Sequence, residues 1–200
     1  MTWDEPFKSS MLYVVDAQKG FSEECPTELM VKGGTAIVPV VNRLLAMPWK
    51  KVVASQDWHP KDHSSFSQCG GSYPPHCVQG TPGAEFLTDL WSQYFHTILR
   101  KGFHKERDAY SASLDHPGTF KGWVGQFEAI YVAGICTNIC VFETACDLVA
   151  AGHENVFIIE DACAALELPE DSPYHYPAVR AKFLVNDIRT IQAAEILSIL

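Results

Sequence analysis

Ala129-Ile130-Tyr131-Val132-Ala133-Gly134, leading within four residues into a helix-forming run over 138–151 that closes at Gly152, decides the fold. An apolar run of strand length without polar alternation reads as a strand buried on both faces. Glycine just past the last helical residue is a common helix stop. The same strand-then-helix unit recurs along the chain. Met11-Leu12-Tyr13-Val14-Val15 reads as a strand ending at Asp16. Residues 34–46 suit a helix, with Pro39 tolerable only near its first turn. Residues 51–56 and 96–100 read as strands, and a helix is expected near 119–128. Val156-Phe157-Ile158-Ile159 is a fifth strand, a helix follows near 176–185, and Ile188-Arg189-Thr190-Ile191 is a sixth. The tail from Ala193 to Leu200 is apolar enough for a docking helix. This alternation predicts an α/β fold: a doubly wound, mainly parallel six-stranded sheet with helices on both faces. No repeat, low-complexity tract or charge block interrupts it, so one domain over 1–200 is expected.

Composition narrows the function classes. Hydrophobic residues at 47% and charged residues at 20% suit a globular chain. A net charge of -9 disfavours nucleic acid and anionic membrane as partners and favours a small or neutral ligand. No window approaches eighteen apolar residues, and Thr2, Asp4 and Glu5 stand where a signal peptide would be basic and then apolar. A cytoplasmic location is expected. Seven cysteines, an odd count, read as reduced thiols. Cys136, Cys140, Cys146 and Cys163 lie in apolar stretches where free cysteine is a common core residue.

Ligands of open α/β sheets bind outside the carboxyl ends of the strands. Asp16 ends the first strand, Asp57 and His59 the second, and Lys101 the third, while Cys140 lies near the start of the helix after the fourth. Four segments thus bring a carboxylate, metal-ligand types, an amine and a thiol to one rim. A helix N-terminus and a nearby ammonium both favour a thiolate. Asp16 could take the thiol proton and return it to a leaving amine. Backbone N–H groups between Gly134 and Cys140 could bind an oxyanion. Blander readings exist: Asp16 and Lys101 could simply pair, Cys140 could be a packed helix residue, and Cys136 could be the exposed thiol instead.

Asp57-Trp58-His59 and the His76 of Tyr73-Pro74-Pro75-His76-Cys77 offer ligands for a divalent transition metal with open coordination positions. In extended chain Asp57 and His59 project to the same side, and the loop must return His76 to them. Residues 57–86 are rich in Gly, Pro, Ser and His, and a loop that long inside a compact domain is usually functional. His104, His116, His153 and His175 read as surface residues.

The ordered set Val14-Val15-Asp16-Ala17-Gln18, Asp57-Trp58-His59-Pro60-Lys61-Asp62-His63, Pro74-Pro75-His76-Cys77, Gly80-Thr81-Pro82-Gly83-Ala84-Glu85-Phe86, Lys101-Gly102, Ala109-Tyr110-Ser111 and the Gly134-to-Cys140 turn resembles the cysteine hydrolases of the isochorismatase-like superfamily, and within it the nicotinamidase/pyrazinamidase branch. The resemblance runs from about Met11 to Ile191. It implies a triad of Asp16, Lys101 and Cys140 and a metal held by Asp57, His59 and His76. The ion would be zinc, with iron or manganese as alternatives. The histidine matching His63 ligates in some members and not in others. Phe21, Tyr73 and Tyr110 match positions framing an aromatic amide substrate, with Gln18 beside them. Backbone N–H groups of Cys136 and Cys140 would hold the oxyanion, and a non-proline cis peptide would precede Cys136. The implied activity is hydrolysis of nicotinamide to nicotinate and ammonia through a cysteine thioester, with a place in NAD salvage and pyridine nucleotide biosynthesis. Members of the superfamily commonly form homo-oligomers. Some positions depart from the pattern: Lys19-Gly20 stands where Asn-Asp is usual, Tyr73 where many have Trp, Ser113 where an aromatic is common, Cys136 for a small residue, and Asn138 for Asp. The alternatives are another heteroaromatic amide such as pyrazinamide, or a silent metal-binding relative.

Overall fold

The computed structural model describes residues 5–198. Its strands are β1 (Met11–Val15), β2 (Lys51–Asp57), β3 (Thr97–Lys101), β4 (Ile130–Ile135), β5 (Val156–Ala164) and β6 (Ile188–Ile191). Its α-helices are α1 (Glu5–Lys8), α2 (Val38–Leu45), α3 (Thr119–Gly122), α4 (Phe142–Ala151), α5 (Tyr176–Lys182) and α6 (Ala193–Leu197). The sheet order is β3-β2-β1-β4-β5-β6, and every pairing is parallel. The chain therefore starts at the centre, winds outward through β2 and β3, crosses back to β4 beside β1, and winds outward the other way. Right-handed crossovers put α2, which links β1 to β2, and α4, which links β4 to β5, on opposite faces, and the C-terminal α6 packs back against α2. The packing agrees: α2 pairs with α6, α3 pairs with α4, and both α2 and α4 rest on β5. Every residue of β1 is buried, which requires cover on both faces because successive side chains alternate.

Most expected elements stand where sequence patterning puts them. Pro39 lies in the first turn of α2, where its missing N–H costs nothing. Three differences have local causes. The helix expected over 119–128 is a single turn, because it ends on Gly122 and Gly125 then takes φ +76°. The fifth strand continues through the polar Glu160 and Asp161 to Ala164, pairing Cys163 with Gly134 beyond a bulge. His153 is buried, its Nε2 on the Phe120 carbonyl at 2.9 Å, although its sequence setting suggested the surface. The tail residues 199–200 lie outside the described residues.

β1 and β4 flank the point where winding reverses, and there the two backbones nearly touch. Gly134 has φ +123°, and a Cβ on it would lie 1.9 Å from the Val15 carbonyl oxygen. Only glycine fits that approach. The crevice at the carboxyl ends of β1 and β4 is where this topology binds ligands. No helix among the described residues is long and apolar enough to cross a membrane.

Candidate active site

β2 and β3 end in register, with Asp57 opposite Lys101. Asp16 follows directly on β1 with φ +45°, a left-handed conformation that turns its carboxylate across the strand ends. Lys101 is fully buried, and its ammonium is the hub. It lies 2.8 Å from Asp16 Oδ2, bonds Asp57 Oδ1 and the Ala109 carbonyl (3.0 Å), and donates toward Cys140 Sγ at 3.7 Å. Burial alone would deprotonate it, but the two carboxylates and the thiol hold it well above the usual lysine range. Burial raises Asp16 to about 6 against the pull of Lys101. Ser55 Oγ donates to Asp16 Oδ1 at 2.7 Å, while Oδ2 accepts no hydrogen bond of proper geometry. A carboxylate oxygen of Asp16 lies within 4.8 Å of Cys140 Sγ. Cys140 itself sits in a π-helical turn, Thr137–Val141, that joins β4 to α4. Burial pushes its thiol well above the ordinary cysteine range, with Lys101 opposing. Burial favours the neutral thiol, and the Lys101 ammonium favours the ionised form of the carboxylate beside it, the arrangement of a nucleophile with its base at hand.

The ligating atoms of Asp57, His59 and His76 converge within 4.8 Å of one another, and all three residues are buried. The tautomers suit a cation. His59 Nδ1 faces the Gly102 carbonyl at 2.8 Å and His76 Nδ1 faces the Pro74 carbonyl at 2.7 Å. A carbonyl only accepts, so each Nδ1 carries the proton and each Nε2 presents a lone pair. Burial lowers His76 to about 4, which keeps that lone pair free. Burial would raise the Asp57 carboxyl, but the Lys101 ammonium holds it below the usual range. Its Oδ1 is bonded to Lys101, leaving Oδ2 toward His59 Nε2 at 3.4 Å. Gly102 is part of the device: at φ +66°, a Cβ there would lie 2.4 Å from the His59 ring. His63 packs against His59 with ring centroids 4.2 Å apart and planes tilted by 35°. Its Nε2 faces the Arg107 carbonyl at 3.2 Å and its Nδ1 faces Ser65 Oγ at 2.7 Å, and it also lies in a second cluster of ligand types with His59 and Asp108, their ligating atoms all within 4.8 Å of one another.

Between thiol and metal ligands lies a narrow cavity of about 20 Å³, walled by Phe21, Leu29, Tyr73, Asp108, Tyr110 and Cys136. Phe21 packs on His76 at 5.3 Å, and the Tyr73 and Tyr110 hydroxyls are 3.4 Å apart. The peptide Ile135–Cys136 is cis. A larger groove, about 770 Å³, opens at the opposite, amino ends of the strands and holds none of these groups.

Residues 10–183 match the isochorismatase domain profile. The chain belongs to the isochorismatase domain family. A nicotinamidase from Acinetobacter baylyi is 36% identical over 179 residues, covering 78% of this chain and 82% of its own. PnC1 from L. infantum, solved in complex with nicotinate, superimposes with a TM-score of 0.82 at 30% identity, over 94% of each chain. A pyrazinamidase of Pyrococcus horikoshii in complex with zinc superimposes with a TM-score of 0.78 at 32% identity, over 92% of this chain and 99% of that one.

Within this isochorismatase fold, one residue expected at the substrate lies elsewhere. Gln18 does not wall the cavity. Its amide donates to the Asp57 and Ala84 carbonyls (2.9 and 3.0 Å) and accepts the Asp57 N–H (2.7 Å), so it braces a metal ligand. Ser55, Asp108, Leu29 and Tyr174 also border the site, outside the residues that the sequence motifs single out. Ser55 was legible in principle, since on β2 it is two residues from Asp57 and shares its face. Tyr174 was not, because only the long connection after β5 carries it back to Tyr110, with ring centroids 5.6 Å apart.

Asn138 explains its own departure from the family pattern. Its amide donates to the Leu166 and Tyr174 carbonyls (3.0 and 2.6 Å), and its carbonyl accepts the Leu166 N–H (3.0 Å). An aspartate would turn a carboxylate onto two carbonyl oxygens. Asn138→Asp should destabilise the protein at pH 7 by about 1–3 kcal/mol, read by urea unfolding. Unchanged stability would show that the fully buried side chain rearranges without loss.

Proposed function

We propose that this chain is a metal-dependent amidase that hydrolyses nicotinamide to nicotinate and ammonia through a thioester on Cys140. The observation that carries this reading is the cluster itself: Asp16 and Cys140 share the buried Lys101 ammonium with Asp57 of the Asp57/His59/His76 group. The nicotinamidases and nicotinate complex among its relatives support the substrate.

The residues divide the work as follows. Cys140 Sγ attacks the carboxamide carbon while Asp16 takes the thiol proton. Lys101 stabilises sulfur as it becomes anionic, and its bond to Asp57 fixes the thiol relative to the metal ligands. The N–H groups of Cys136 and Cys140 receive the developing oxyanion. Asp16 then delivers its proton to the departing nitrogen, ammonia leaves, and the acyl group remains on sulfur. A water attacks that thioester with Asp16 as base. Nicotinate departs and the proton returns to Cys140. Asp57, His59 and His76 would hold a divalent ion, zinc by analogy with the Pyrococcus protein, supplying a Lewis-acid anchor for a ring nitrogen. Phe21, Tyr73 and Tyr110 flank the ring, and the narrowness of the cavity requires these walls to part on entry. The substrate is a small amide, and the reduced thiols fit a cytoplasmic enzyme of NAD salvage.

Ammonia release from nicotinamide by purified protein, with metal quantified, tests the reading. No turnover by metal-loaded protein would overturn it. The pH profile gives a second check. Asp16 must be ionised to act as base, so kcat/KM should fall as pH drops through its pKa. Burial raises that pKa to about 6, and a bound cation nearby can only lower it. The acid limb should therefore have its midpoint no higher than about 6. A limb centred at neutral pH or above would remove Asp16 from that role.

A further inference from the structure

We propose that Glu28 is a positioning residue for the metal ligands, its carboxylate seated between two glycines and fixing the backbone of Cys77. The proposal rests on the metal site described above. Cys77 directly follows the ligand His76, and it has φ +46°, unusual for a residue with a side chain. Both ends of its peptide units are tied. Its carbonyl accepts the His59 N–H at 3.1 Å, and its own N–H donates to Glu28 Oε2 at 2.9 Å. Cys77 is thus stitched between two ligands, and Glu28 supplies the only one of these ties that comes from a side chain.

The seat for that carboxylate is shaped by space. Gly20 and Gly83 lie in two separate 3-10 turns, Lys19–Phe21 and Pro82–Ala84. A Cβ on Gly20 would lie 2.4 Å from Glu28 Oε2, and one on Gly83 would lie 2.1 Å from both carboxylate oxygens. Neither glycine has a left-handed φ, so backbone conformation does not demand glycine at either place. Two glycines of ordinary backbone converging on one carboxylate leave room for that group and nothing larger. This accounts for the Lys19-Gly20 departure: an aspartate at position 20 would bring a second carboxylate to the Glu28 carboxylate.

The test is metal affinity, measured with Zn²⁺ by chelator competition and with Co²⁺ by its visible absorption, alongside thermal melts. Glu28→Ala should weaken zinc binding by about tenfold or more, the usual cost of losing such support, and should alter the Co²⁺ spectrum while the protein still melts cooperatively. Glu28→Gln keeps an acceptor for the Cys77 N–H and should stay near wild type. Gly83→Ala evicts the carboxylate and should reproduce the Glu28→Ala loss, and the double variant should bind no worse than the weaker single one. Wild-type affinity in Glu28→Ala, a Glu28→Gln loss as large, additive losses, or a Glu28→Ala protein that no longer folds would each overturn the proposal. Wild-type protein that binds zinc but releases no ammonia from nicotinamide would overturn the amidase reading alone. Protein that binds no metal would overturn the positioning role and the metal site together.

Discussion

Cys140→Ala should reduce amide turnover by at least about 10⁴-fold, the scale lost when the nucleophile of a coupled triad is removed, while bound metal stays at the wild-type level. The two halves of that result are separable because the two groups share Lys101 and no ligand atom. Cys140 Sγ meets the ammonium at 3.7 Å, whereas Asp57 reaches it through Oδ1 and keeps Oδ2 on the metal side. Alanine removes the sulfur and leaves the carboxylate held. Cys136→Ala is the informative control. Its thiol also walls the cavity, and burial likewise pushes it well above the ordinary range, but no ammonium contact comparable to that of Cys140 binds it to the triad. The Cys136 variant should retain turnover, with its effect confined to substrate fit. Activity lost with Cys136 and kept with Cys140→Ala would reverse the assignment. Loss of metal in Cys140→Ala would mean that the thiol helps to hold the ion, which the proximity of Asp16, Asp57 and Cys140 makes a real competitor.

The centre of the sheet was legible because its strands β1 and β4 are buried on both faces. Runs such as Met11–Val15 and Ile130–Ile135 carry no polar alternation to confuse with a helix face. The rim was legible for a topological reason: a parallel sheet sends every strand end to the same side, so the residues closing β1, β2 and β3 had to meet. What sequence could not give was the direction of each side chain at that rim. Gln18 and Asp57 both stand at strand ends and both are polar, yet Gln18 does not wall the cavity and braces Asp57. Glu28, Asn138 and Tyr174 depend on contacts between loops far apart in sequence, where no periodicity exists to read. Glycine was the one weak signal. Gly20 and Gly83 stand in ordinary backbone, so their reason lies in a neighbour that only the folded chain supplies.

Lys101→Met should cost both stability and activity, and the stability loss should depend on pH in a defined direction. Methionine matches the volume of the buried side chain but leaves Asp16 and Asp57 without their shared cation. Breaking a buried ion pair by removing one partner typically costs about 3–5 kcal/mol. The sign follows from the carboxyls. In the wild type, Lys101 lowers the pKa of both, although burial still leaves Asp16 raised, to about 6, while Asp57 is held below the usual range. Asp57 therefore contributes stability present above the unfolded carboxyl pKa and lost as pH falls through its folded value. Asp16 acts oppositely: its folded form binds a proton more tightly than the unfolded chain, so its contribution declines as pH rises between about 4 and about 6. Without the ammonium both carboxyls move upward, so each takes up its proton at a higher pH than in the wild type. The deficit relative to wild type should be largest at pH 7 and shrink toward pH 5, as the orphaned carboxyls accept protons. Urea unfolding of both proteins at the two pH values, with chelator present so that no bound cation substitutes for Lys101, reads this directly. An equal deficit at pH 5 and pH 7 would mean that the lysine stabilises by packing its stem, and that its charge is not what holds the two acids together.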